Sequence, residues 1–256
     1  MSLLRMLAVG WLVNMKSLMR SGLFVFTSLI EPLIFATLTY FLFKAGHQQV
    51  TVLYSALGAG MMGIWSSTLF GSGGAISWQR WQGTLELIVA APPPLIVILF
   101  PLTLATASIG LYSLAATLLW DKLLFGLPFH LAHPLSFVVA VPAMILGLGA
   151  LGLVIGSGFV LYRNANALSN MLEFPIWLVT GVLVPLSLLP GWVSPIGWIL
   201  SPTWGFRAVR GAALGGDVAG PLLLCLGLAV VYVGLAAWLV RLVERLARER
   251  AQLALA

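Results

Sequence analysis

The sequence predicts an all-α, polytopic membrane protein with six transmembrane helices, an interfacial helix at the N-terminus and short re-entrant helices between spans five and six. Three observations lead there. Of 256 residues, 61% are hydrophobic and only 8% charged, with a mean hydropathy of +1.06. No single soluble core can keep that much apolar surface from water. Uncharged stretches of about 20 residues recur from end to end, and a helix of that length crosses a hydrocarbon layer of roughly 30 Å. The alternation of polar and apolar residues that marks a transmembrane β-barrel is absent from the sequence.

Residues 1–21 are apolar but interrupted by Arg5, Asn14, Lys16 and Arg20. That spacing suits an amphipathic helix lying at the membrane surface, its basic groups toward lipid headgroups. One six-span domain follows over 22–243, with spans at about 22–43, 53–77, 95–120, 134–162, 167–189 and 218–240. Between the fifth and sixth, residues 190–216 interleave Pro190, Pro195 and Pro202 with Trp192, Trp198 and Trp204. Prolines break long helices and tryptophans favour the headgroup region, so short helices dipping into one leaflet are expected there. Residues 244–256 form a tail in which Glu244 with Arg248 and Arg245 with Glu249 stand at i,i+4, as if the sixth helix continues beyond the membrane. No repeat or low-complexity linker divides the chain.

Charge sets the expected orientation. With both termini in the cytoplasm, Arg5, Lys16, Arg20, Arg80, Arg163, Arg241, Arg245, Arg248 and Arg250 lie inside, and Lys44, Lys122, Arg207 and Arg210 outside. The net charge of +6 is carried by residues scattered singly between apolar runs, not gathered into a patch, which argues against nucleic acid as a partner. Cys225 is the single cysteine, inside the last apolar run, so it is read as packing. His47, His130 and His133 fall in predicted external loops, with Asp121 the nearest acid to the last two, and are read as solvated.

The loop between spans two and three, residues 78–94, reads WQRWQGTLELIVAAPPP. Gly83-Thr84 followed by Leu85-Glu86 has the form of a helix start, and three consecutive prolines end it. Such a short amphipathic helix at the cytoplasmic face is something a soluble partner can push against; an ordinary connecting loop is the alternative. The arginine, Gly-Thr-Leu-Glu and proline cluster resemble the signature of the ABC type-2 permeases, membrane subunits of drug, lipid and polysaccharide exporters. So does the order Pro175, Gly181, Pro185, Leu189-Pro190, Trp192, Pro202 and Arg207 or Arg210. Gln79 departs from the acidic residue that relatives often carry before the arginine.

The resemblance implies a prokaryotic plasma-membrane exporter of two permeases, a second copy or a related chain, and two ABC ATPase subunits that bind ATP and Mg. Arg80, Gln82, Gly83, Thr84, Leu85 and Glu86 would couple to the ATPase, and Pro190, Trp192, Pro202, Arg207 and Arg210 would form the outer closure. No G-x-x-x-x-G-K-[ST] occurs in the chain, so this polypeptide has no P-loop of its own, is not itself an enzyme and needs no cofactor. Two G-x-G-x-x-G matches, at Gly58, Gly60, Gly63 and at Gly147, Gly149, Gly152, lie inside apolar spans. Close helix packing accounts for them better than a dinucleotide site.

Glu31 and Glu173 are the two charges within spans, each beside a proline-associated break, and a carboxylate there needs a partner, a proton or water. They are candidates for the translocation route, together with Asn170, Phe174 and Trp177, for an amphipathic, lipid-linked or drug-like cargo. A pairing of Glu31 with Lys16, Arg20 or Arg163 is the alternative. The polar start of span five, Asn164, Asn166, Ser169 and Asn170, suits either interhelical hydrogen bonds or a cytoplasmic entrance. Two other functions compete: a stand-alone secondary transporter, for which two intramembrane acids are few, and an intramembrane protease using Ser157, for which no histidine lies in the last two spans.

Overall fold

The computed structural model describes residues 3–45, 52–81, 83, 95–126, 131–159, 165–182, 186 and 189–250. All of the regular structure among them is helical: α1 (Leu3–Arg20), α2 (Gly22–Ala45), α3 (Val52–Trp81), α4 (Leu95–Phe125), α5 (Pro134–Phe159), α6 (Ala165–Val179), α7 (Val193–Ile199), α8 (Ser201–Leu214) and α9 (Ala219–Arg250). Among the described residues, α4, α5 and α9 are by themselves long and apolar enough to cross a membrane. A fourth such unit is the pair α1 and α2, bent by 83° at their junction.

Around α3 the other helices gather, with α2, α4, α5, α6 and α8 all against it. Its residues 55–66 are buried on every side. A helix buried all round needs small residues where neighbours come close, and the glycine triplet supplies them. A methyl group on Gly60 would fall 2.4 Å from the Leu114 side chain, and one on Gly63 would collide with the Ser113 hydroxyl. From the opposite helix, Gly110 faces the Ile64 backbone, 2.6 Å from such a methyl. Gly58 points elsewhere, toward the Val182 carbonyl at the end of α6. The second triplet is also packing: Gly147 lies against Cys225, and Gly152 against Thr68. Cys225 is buried, its thiol directed at the Ala143 carbonyl.

α1 leaves the α2 axis almost at a right angle and lies on α4, where Gly10 meets Pro101 and the Trp11 indole donates to Ser108. Arg5, Lys16 and Arg20 are exposed along it. At the other end of the chain, α9 continues unbroken to Arg250.

Several expected boundaries shift. α3 runs through Arg80 to Trp81, so the first residues of the 78–94 loop are helical; Gly83 follows with φ +69°, a left-handed turn suited to glycine. α4 extends to Phe125, whose ring stacks on Tyr40 at 3.9 Å, and this puts Asp121 inside the helix, 2% exposed, not in an external loop. α6 stops at Val179, well short of the expected end of span five at 189. Gly181 at φ +74° ends it, with Val182 N–H bonding back to Trp177 and Gly181 N–H to Leu178, a Schellman arrangement. Two short helices lie within 190–216, and two of its three prolines stand at their starts. Pro195 and Pro202 sit in the first turns of α7 and α8, where a missing N–H costs nothing.

The α3–α4 contact generates a prediction. Gly110→Ala must displace the Ile64 backbone, an overpacking cost of roughly 1–3 kcal/mol, so the purified protein should melt several degrees lower. Gly158→Ala, with nothing within 4 Å of the added methyl, should melt at or above the wild-type temperature because alanine is the better helix former.

Candidate functional site

Two polar assemblies lie within this apolar bundle, both against α3. The first joins α2, α3 and α6. Glu173 on α6 is 8% exposed and accepts a hydrogen bond from the Ser66 hydroxyl on α3. Glu31 on α2 is half-buried and precedes Phe35 by four residues, as Glu173 precedes Trp177. One turn further along each helix stands an aromatic ring. Phe35 of α2 and Trp177 of α6 meet edge to face, centroids 5.6 Å apart, and Phe174 meets Trp177 from the other side at 5.0 Å.

Equal offsets place acid beside acid and ring beside ring, so α2 and α6 run in the same direction past α3. Glu31 is nine residues past the start of α2 and Glu173 eight past the start of α6, which puts both about 12–14 Å from the helix starts at about 1.5 Å per residue. Among the described residues no basic side chain pairs with either acid, and Lys16 and Arg20 are exposed on α1. The indole N–H of Trp177, a residue only 5% exposed, finds no acceptor among them either.

Arg210 on α8 makes the second assembly. Its Nη1 donates to the Gly181 carbonyl at 2.7 Å and to the Tyr54 hydroxyl at 2.9 Å, its Nη2 to the Val182 carbonyl at 2.7 Å. The guanidinium also lies 3.7 Å from the centre of the Tyr54 ring. Helix ends leave carbonyls unpaired, and those after α6 are met by a cation, the favoured partner for the negative end of the helix dipole. Gly58 leaves the room: a methyl there would come 3.2 Å from Nη2. Desolvation pulls the Arg210 pKa down to about 10, which still leaves it charged at pH 7.

The candidates from sequence thus divide. Glu31, Glu173, Phe174 and Trp177 come together. Asn170 lies on α6, three residues before Glu173. Arg210 is buried at 9% exposure and is not a free external charge, whereas Arg207 is exposed with its guanidinium 5.0 Å above Trp204. Pro190 and Trp192 are exposed and Pro202 is buried. Of the loop residues, Arg80 lies on the last turn of α3 and Gly83 follows it; Gln82, Thr84, Leu85 and Glu86 lie outside the described residues, as do His47, His130 and Arg163. Ser157 gives its hydroxyl to the Val154 carbonyl of its own helix.

Ser66, Phe35 and Tyr54 were not singled out from sequence, because one serine, phenylalanine or tyrosine in an apolar run carries no local signal. A legible signal did exist on α4. Thr103, Thr106, Ser113, Thr117 and Asp121 recur every three, four or seven residues on one face, and all are buried.

A family model described as ABC-2 type transporter matches residues 7–214 of the chain. The comparison with curated proteins gives no match.

Arg210→Ala would leave two buried carbonyls without their donor and remove a cation from the end of α6. The expected loss is on the order of 2–4 kcal/mol, seen as a large drop in the melting temperature of the detergent-purified protein. Tyr54→Phe removes one hydroxyl partner and should cost about 1 kcal/mol. Arg210→Lys, with no fork to span both carbonyls, should fall between them.

Proposed function

Because the chain belongs to the ABC-2 type transporter family, and so is a membrane permease that works with an ABC ATPase subunit, we propose that it exports an amphipathic, lipid-linked or drug-like cargo by alternating access. The acid and aromatic layers shared by α2, α3 and α6 carry this reading. Carboxylates with no basic partner among the described residues are costly inside a bundle this apolar, and a route for polar groups through the bundle gives them a use.

The reading is as follows. Six spans cross a prokaryotic plasma membrane with both termini in the cytoplasm, and 22–243 form one permease domain. Residues 1–21 lie at the cytoplasmic surface and 244–256 form the tail. Two permeases sit on two ATPase subunits, which bind and hydrolyse ATP with Mg. Residues 78–94 receive the ATPase movement through Arg80, Gln82, Gly83, Thr84, Leu85 and Glu86. Glu31, Glu173, Asn170, Phe174 and Trp177 line the route. The re-entrant segment 190–216 closes it outside. Arg210 supports that assignment: Tyr54 stands 12 residues before Ser66 on α3, so the Arg210 clamp lies about 18 Å along the helix from the acids. With α3 starting outside, a clamp at that distance closes the outer end while the acids stay within reach of the cytoplasm.

Affinity purification of the tagged permease in mild detergent should bring down an ATPase subunit carrying a P-loop, and Arg80→Ala with Glu86→Ala should cut its recovery roughly tenfold. If the purified chain alone moves solute down an ion gradient in liposomes, the secondary-transporter reading replaces this one. For the route, Phe174→Cys in a Cys225→Ala background should react with a membrane-impermeant thiol reagent during ATP turnover and not at rest.

A further inference from the structure

Two carboxylates on neighbouring helices with no basic partner among the described residues repel each other and are costly in a low-dielectric interior. Protons, water or a cation can each offset that cost, and a cation can be brought by the cargo. The surroundings favour the third. Phe35 and Trp177 stand one turn beyond the acids and meet edge to face, and Phe174, 63% exposed, follows Glu173 and meets Trp177. Aromatic rings attract cations while offering apolar area to whatever carries the charge. Glu173 already uses one carboxylate oxygen on Ser66, which orients the group as an acceptor. The buried Trp177 N–H, without an acceptor among the described residues, leaves a donor for a polar atom of the cargo.

Resting on the route reading above, we propose that the cargo class is an organic cation. A positively charged nitrogen or phosphonium centre sits between Glu31 and Glu173, and its aryl or alkyl substituents lie against Phe35, Phe174 and Trp177. Neutral and anionic amphiphiles of the same size are poor ligands, because they leave the two acids uncompensated.

The test uses the permease with its ATPase subunits in nanodiscs and a pair of ions of nearly equal size and opposite charge, tetraphenylphosphonium and tetraphenylborate. Binding is measured by equilibrium dialysis, with uptake by empty nanodiscs subtracted. Saturable binding of tetraphenylphosphonium alone is expected, weakened about tenfold or more in Glu173→Gln and in Glu31→Gln, in line with the loss of a desolvated charge partner. Trp177→Leu should weaken it by a smaller factor, about threefold to tenfold. Equal binding of both ions, no saturable binding of the phosphonium, or glutamine variants within twofold of wild type would overturn the proposal. Should a glutamine variant not fold, the contrast between the two ions on the wild-type complex decides alone. The Phe174→Cys experiment separates the two levels. Labelling during turnover without phosphonium binding overturns the cation class and leaves the route standing, whereas absence of labelling removes the route and the cation site with it.

Discussion

Where α6 ends governs much of this molecule, and Arg210 holds that end. In an apolar bundle the free carbonyls of a helix terminus have no water to turn to. Gly181 adopts the left-handed conformation that closes the last turn, and the guanidinium then takes the carbonyls of Gly181 and Val182, the two residues that lead the chain away from the helix, at 2.7 Å each. With its C-terminus pinned to α8 and Tyr54, α6 has its depth and rotation set against α3. Glu173 consequently faces Ser66, and Trp177 faces Phe35. A different stopping point would carry every side chain of α6 around the helix axis with it.

The same economy of polar groups recurs in α3. Its three glycines serve separate neighbours: Gly58 makes space for the clamp, Gly60 and Gly63 admit α4. Without a hydrophobic drive between helices in lipid, close backbone approach and interhelical hydrogen bonds supply the attraction. Ser201 illustrates the second kind, its hydroxyl donating to the Gly147 carbonyl across the α5–α8 contact. These contacts make α3 one continuous packed element, with the Arg210 clamp near its start and Arg80 in its last turn.

Asp121 remains as a polar group that the proposed route does not use. It closes a stripe of hydroxyl residues on α4, and its Oδ2 has no partner among the described residues. Thr103, Thr106 and Thr117 each donate to a carbonyl of their own helix, so that stripe is largely self-satisfied and reads as helix packing.

What the sequence determined alone was everything that sums over a window. Choice of solvent follows from composition, helical state from unbroken apolar runs, lack of a P-loop from plain inspection, and the family from motifs in fixed order. Even the two intramembrane acids stood out, because charge in an apolar run is a local contrast. Only the tertiary structure decided which of those residues meet. Arg210 looked like a loop charge, yet α8 folds inward and buries it against Gly181, 29 residues away. Ser66 lies 107 residues from Glu173, and nothing near either one announces the other. Helix faces repeat every few residues and are written in the sequence, whereas the rotation and depth of one helix against another depend on side-chain volumes contributed by several distant segments at once.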